Sequence, residues 1–417
     1  MSRRLRIIGG GLTGILAAFE GHRLGWRDIV LHERFEGLGG VARPRVAHGA
    51  ELRDGCVYFG GPGDPIVTIL TTHGAKFEAF ANRFGSVSPS TTGATIFCRD
   101  FGGPVVETEE TALASVGGAS LADRLSAYPE PVRGSLERYC RWHLDDAGLA
   151  GIDAEAAIPL AINRVVPAYA DFDALADAKR ADPRMDDLWG IPRGHWGRTA
   201  NLVASLPTGG FATLFETCRR ALLDLGVRLE TESLVPPRQA FAELGDDDTL
   251  VWAASPTPLF KPLGLATPHL LRKTFASYIY EARFDGPCPA YVQNFTAQGS
   301  AFRVYVYVTG GRTMAVAECV READPLDLKA EMADLMAGLG ALEVGELAQV
   351  SVQPRWIYHS REAVDGLAAL RAAAAARFGP RFIAGAWEPY AKSAKLAQVN
   401  AALAAAWTGE SALALTA

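Results

Sequence analysis

The narrowest constraint on this chain lies in its first fourteen residues, where a short apolar run is followed at once by four glycines in a fixed pattern. Leu5-Arg6-Ile7-Ile8 reads as a buried strand, and Gly9-Gly10-Gly11-Leu12-Thr13-Gly14 follows it. The helix-forming stretch Ile15-Leu16-Ala17-Ala18-Phe19-Glu20 comes next. Strand, G-x-G-x-x-G and helix in that order predict the first turn of a dinucleotide-binding unit. Gly9 permits the tight turn, Gly11 lets the backbone approach a pyrophosphate, and Gly14 allows helix to pack closely on strand. The positive helix N-terminus then receives the diphosphate. Asp28-Ile29-Val30-Leu31-His32-Glu33 reads as the second strand, and its terminal acid lies nineteen residues beyond Gly14. Glu33 is placed to hold ribose hydroxyls, and its carboxylate would repel a 2′-phosphate.

Gly39 and Gly40 follow Glu33 by six and seven residues. That spacing resembles the flavoprotein pattern of an acid, a few residues, then Gly-Gly, and it implies FAD as the cofactor. Leu12, Thr13, Arg34 and Leu234 are placed with the cofactor site as well. No second G-x-G-x-x-G lies downstream, so no separate NADPH domain is expected.

In mid-chain, Leu206-Pro207-Thr208-Gly209-Gly210-Phe211 opens an amphipathic helix over 212–225, followed by strands over 227–232 and 249–254, the latter ending at Ser255-Pro256. This block resembles the large flavoprotein family that contains the amine oxidases and UDP-galactopyranose mutase. With the N- and C-terminal parts included, the resemblance covers most of the chain. It implies an α/β fold in which a Rossmann-type FAD-binding domain is interleaved with a helical insertion and an antiparallel-sheet substrate domain. The expected division is 1–60, 205–265 and 375–417 for the FAD-binding domain, 61–204 for a mostly helical substrate domain, and 266–374 for the sheet. Period-two alternation over 274–282, 290–294, 302–308 and 313–320 supports that sheet.

The likeness narrows at Ala301-Phe302-Arg303-Val304-Tyr305, which looks like the mutase segment where an aromatic-Arg pair lies beside the substrate diphosphate. On that resemblance Arg303 is a phosphate or oxyanion clamp, its planar fork suiting a diphosphate. The alternative is an arginine on the solvent face of a strand. Arg355 and Arg164 are available as partners for such a clamp. Gly385, in the turn of Arg381–Trp387, fits the family's terminal glycine beside the FAD pyrophosphate, with a closing helix over 392–407. Tyr390 resembles a tyrosine of the mutase substrate pocket, or is a packed aromatic. One departure stands out. Where the mutases carry Gly-x-His-x-Phe near the flavin, this chain has Gly55-Cys56-Val57-Tyr58-Phe59, with no histidine. Cys56 is then either a group near the flavin or a small buried hydrophobe.

Composition sets the outer limits. The 417 residues suffice for two or three intertwined domains able to enclose a large ligand, and a net charge of −6 gives no basic footprint for nucleic acid. Six scattered cysteines, without C-x-x-C or zinc-finger spacing, predict free thiols and no metal site. His143 and His195 have no neighbours at catalytic spacing and are expected on the surface or satisfied in a core. No apolar run is long enough to span a membrane, so a cytoplasmic enzyme without stable membrane insertion is expected. Three functions fit: a mutase-like enzyme acting on a nucleotide-linked sugar; an amine oxidase or desaturase moving hydride to flavin; or a flavin-binding protein without turnover. The first predicts a diphosphate-binding arginine pair, the second an aromatic cage or a lysine near flavin N5 and no anion clamp. In each case the partner is a small molecule; the oligomeric state is left open.

Overall fold

The computed structural model describes residues 3–47, 49–55, 57–81, 83–89, 95–98, 119–128, 130, 132–145, 148–162, 165, 177, 181, 188, 203–385, 387, 390 and 392–409. Cys56, Arg164 and His195 lie outside them, and of Arg355 only the backbone is described.

Five parallel strands form the first layer, in the spatial order Phe382–Ala384, Thr249–Trp252, Arg4–Ile8, Asp28–His32, Arg228–Glu230. Three separated stretches of chain thus build one sheet, and the strand that opens the chain lies at its centre. Leu5 and Ile7, with Ile29 and Leu31 beside them, point to one face. That face is covered by the helices Leu12–Leu24, Gly210–Asp224 and Lys392–Thr408, which share a core with it. The first helix is apolar on nearly every side, and Gly14 through Gly21 are all buried. It is enclosed by the sheet and the two later helices, so no solvent stripe survives in its sequence.

The second layer is a seven-stranded sheet ordered Leu342–Tyr358, Leu271–Phe284, Arg312–Cys319, Ala301–Thr309, Ala290–Asn294, Arg83–Pro89, Thr95–Cys98. Its neighbours are antiparallel except where Arg83–Pro89 runs parallel to Ala290–Asn294. One face, with Tyr278, Tyr280, Val304, Val306, Ala315 and Ala317, is buried against the helix Pro325–Met336. The other face meets the helices Leu121–Ser126 and Val132–His143 at one end. At its other end lies the small hairpin Arg45–Ala47 and Ala50–Leu52.

Four elements cross the expected division. Two strands of segment 61–204, Arg83–Pro89 and Thr95–Cys98, belong to the seven-stranded sheet, while the helix Pro65–Thr72 packs into the core of the parallel-sheet unit. The helix Arg361–Phe378 likewise runs across the expected border at 375, because Leu367, Leu370 and Ala374 are buried against Leu250, Trp252 and Phe382. Packing partners, which local sequence does not name, set these borders.

Candidate functional site

The glycine turn has the geometry its sequence requires. Gly9 donates to the His32 carbonyl at 2.8 Å, locking the turn onto the second strand, and Gly11 stands as N-cap of the helix Leu12–Leu24. A Cβ on Gly14 would lie 1.9 Å from the Gly9 carbonyl oxygen, so only glycine lets the helix approach this closely. Gly39 donates to the Gly10 carbonyl at 2.8 Å, and Gly39 and Gly11 form an isolated parallel bridge. The two glycine pairs predicted from spacing are therefore in contact. Gly39 and Gly40 both take positive φ, 119° and 57°, which a side chain would resist.

Glu33 is buried at the edge of this cradle. Its Oε2 accepts from the Gly10 N–H at 2.7 Å and its Oε1 from the Phe35 N–H at 3.0 Å. Each oxygen retains lone-pair capacity for a ribose hydroxyl. Sequence reasoning passed over Gly10, yet a Cβ there would meet the Glu33 Cβ at 2.9 Å. The middle glycine of the run was the available signal. The cradle fits a dinucleotide: bare backbone at a helix N-terminus for the diphosphate, and a fixed carboxylate for the ribose. Leu12 and Thr13 are half-buried in the first turn of that helix. Arg34 is exposed with its guanidinium 4.5 Å from the Phe35 ring centroid, and Arg43 stands 4.6 Å from the same ring. Leu234, placed with the cofactor from sequence, is 74% exposed. Gly385 donates to the Trp252 carbonyl at 2.8 Å, so the last strand and its turn are joined to the end of the Thr249–Trp252 strand.

A second constellation, unforeseen from sequence, lies where the hairpin, the parallel-sheet unit and the larger sheet meet. Glu51 and Arg53 are both buried and paired at 3.1 Å. The other Glu51 oxygen accepts from the Ala212 N–H, capping the helix Gly210–Asp224. Gly210 is needed there, since a Cβ would lie 2.6 Å from that oxygen. The Tyr307 hydroxyl donates to the Glu51 carbonyl and accepts from the Arg53 N–H, both at 3.0 Å. Burial pushes the Tyr307 phenol up to about 12, so it stays protonated and keeps its donor role. An acid on a short strand and an arginine just past its end carry too little pattern to be picked out beforehand.

The face of the large sheet between helices and hairpin carries a polar rung. Ser86, Gln293, Arg303, Glu318, Ser277 and Ser351 are successive register partners across six strands. Phe275 and Phe295 flank the rung beneath the helices, and Ile279, Tyr291, Tyr305 and Val316 flank it toward the hairpin. Arg303 is thus on an interior face, and the solvent-face alternative is excluded. Its fork is engaged by Glu318, Nε to Oε1 at 2.6 Å and Nη2 to Oε2 at 2.8 Å, with the Glu318 side chain fully buried. Its expected partners for a clamp, Arg164 and the Arg355 side chain, lie outside the described residues. Tyr390, expected either in a pocket or as a packed aromatic, is held through its hydroxyl. Its hydroxyl donates to the Ile357 carbonyl at 2.9 Å and accepts from the His359 N–H at 3.0 Å, tying the C-terminal turn to a sheet strand. His143 is a core histidine, wholly buried, with Nε2 2.7 Å from the Tyr358 hydroxyl. Among the described residues no cluster of metal ligands occurs, and no helix is long and apolar enough to cross a membrane.

No family model matches the sequence, and no curated protein is similar to it by sequence. Solved structures are similar in fold. A reduced UDP-galactopyranose mutase superposes with a TM-score of 0.66 at 12% identity, covering 97% of this chain and 95% of that one. The chain has the fold of UDP-galactopyranose mutase and the amine oxidases. Cyclohexylamine oxidase from Brevibacterium oxydans IH-35A matches with a TM-score of 0.55 at 12% identity, over 98% and 99% of the two chains. A putrescine oxidase variant redesigned in cofactor binding matches with a TM-score of 0.51 at 16% identity, over 98% and 99%. The α/β fold with its parallel and antiparallel sheets, expected from the glycine motif and the alternating segments, is the one found. At these identities the likeness speaks for the fold, and the chemistry rests on the residues described above.

Proposed function

We propose that this chain is an FAD-dependent oxidoreductase that oxidises a C–N or C–C single bond of a small molecule to the double bond, a hydride leaving a C–H carbon for bound FAD and a proton leaving the neighbouring atom for solvent. The contact between Gly10-Gly11 and Gly39, with Glu33 oriented beside it, carries the reading. Gly9, Gly11, Gly14, Gly39 and Gly40 would hold the diphosphate, and Glu33 the adenosine ribose. Bound FAD supplies a two-electron acceptor; the protein supplies orientation and exclusion of water. Aromatic side chains support the oxidase form. Tyr291, Tyr305 and Tyr307 occupy one face of the sheet, Tyr305 and Tyr307 stack at 5.3 Å, and the Tyr58 ring stands 6.5 Å from Tyr291. The bidentate Arg303–Glu318 pair leaves that guanidinium neutralised, which suits an uncharged wall better than a diphosphate site.

A second reading, a mutase-like enzyme acting on a nucleotide-linked sugar, is favoured by the 0.66 TM-score over nearly the full length of both chains. The visible spectrum separates the two. Purified protein reconstituted with FAD is mixed anaerobically with primary amines and, after dithionite reduction, with UDP-sugars. Bleaching of the flavin band by an amine supports the oxidase. A response confined to UDP-sugars would replace it with the mutase, and protein that takes up no FAD would refute both.

A further inference from the structure

We infer that Arg53 is a contact of the bound dinucleotide, giving a guanidinium N–H to an acceptor oxygen of the cofactor; this rests on the FAD reading above. The Arg53 side chain is only 7% exposed. Its Nε is held by Glu51, and its guanidinium lies 4.7 Å from the Tyr307 ring centroid and 5.4 Å from that of Phe211. Held by a carboxylate and flanked by two rings, the group is fixed in orientation. Its Nη1 is buried and has no hydrogen-bond partner. A charged donor left unpaired in the interior is costly, and an acceptor arriving with a ligand removes that cost.

The location names the ligand. Phe211 and Phe215 stand one turn apart on the helix Gly210–Asp224, and the Phe215 ring is the wall behind Gly39, where an added Cβ would come within 2.7 Å of it. Gly39 in turn bridges Gly11. The Phe211 ring, 5.4 Å from the Arg53 guanidinium, has its centroid 6.3 Å from that of Phe215, so these two rings link Arg53 to the wall of the diphosphate cradle. Glu51 cancels its charge, so the pair does not act as a long-range anion trap; it offers one directed N–H. Two parts of FAD present a matching oxygen: the diphosphate, and the carbonyls of the flavin ring.

The test compares wild type with Arg53→Met, which keeps the length and removes every donor. Dissociation constants for FAD and riboflavin are read from quenching of flavin fluorescence, alongside the melting temperature of the apoprotein. Arg53→Met is expected to bind FAD on the order of 10- to 100-fold more weakly. If the acceptor is the diphosphate, riboflavin binding is unchanged; if it is the flavin ring, riboflavin weakens as FAD does. Should the methionine variant not fold, Arg53→Gln reads the same comparison, because its amide reaches Glu51 but not the Nη1 position. Equal FAD affinity in a folded variant and in wild type would overturn the assignment, leaving Nη1 with a buried water or nothing. A wild type that binds no FAD would instead bring down the cofactor reading itself.

Discussion

Substitution at Glu318 and Arg303 tests whether the rung arginine serves the fold or a ligand. The two side chains share two short bonds, 2.6 and 2.8 Å, with Glu318 wholly buried and Arg303 15% exposed. Glu318→Leu strands a guanidinium in the interior, and breaking a buried pair from one side costs about 3–5 kcal/mol. Arg303→Met strands the carboxylate, whose burial is deeper, so its loss is expected to be at least as large. The double variant removes both charges and fills the space with apolar atoms, so it should return to within about 1 kcal/mol of wild type. The coupling between the sites is then about 5 kcal/mol or more, read from urea unfolding followed by tryptophan fluorescence. The same double variant should still be bleached by substrate if Arg303 acts through Glu318 alone. Single variants that each lose less than about 1 kcal/mol, or a double variant as unstable as the sum of the two, would refute the reasoning. A stable double variant that has lost its response to UDP-sugars would return Arg303 to the role of clamp.

Three further outcomes are expected. Gly14→Ala puts a Cβ more than about 1 Å inside contact with the Gly9 carbonyl, so helix and strand must separate; the purified protein should carry little FAD, and full flavin content would contradict this. Tyr390→Phe deletes two bonds to backbone groups at Ile357 and His359, costing about 1–3 kcal/mol of stability with the flavin spectrum and KM unchanged; a raised KM at unaltered stability would restore a substrate role. Burial, with Lys273 and Arg303 adding to it, pushes His143 down to about 3 from an ordinary value of 6.5. Below 6.5 the unfolded chain takes up a proton that the folded chain does not, so stability falls as pH drops from 6.5 toward 3, by about 1.4 kcal/mol per unit. Unfolding free energies from pH 7 to pH 4 should lose this slope in His143→Gln, and parallel curves for the two proteins would rule it out.

How much was legible beforehand follows from the range of each interaction. The nucleotide cradle is written in order along the chain because each glycine answers a local demand: a positive φ at Gly39, a close approach at Gly14, a helix beginning at Gly11. Its acid, Glu33, ends a strand that pairs with the first one in parallel, so a fixed spacing delivers it to the same edge. The alternating segments between 270 and 320 announced their strands through a period of two, although both faces of the sheet are buried. Their outward neighbours were not legible. Nothing local distinguishes an arginine that clamps a phosphate from one held by Glu318, fifteen residues away on the adjoining strand. Nor does anything local distinguish a pocket tyrosine from a packed aromatic at Tyr390, whose hydroxyl is engaged by the backbone at 357 and 359. The strand Arg83–Pro89 pairs with Ala290–Asn294, about two hundred residues later, and Glu51 caps a helix that begins at Gly210. Sequence determined where a dinucleotide is received, since that site is built from short-range backbone geometry. Tertiary structure decided which polar side chains are consumed by one another, because burial and pairing depend on neighbours that only the folded chain brings within reach.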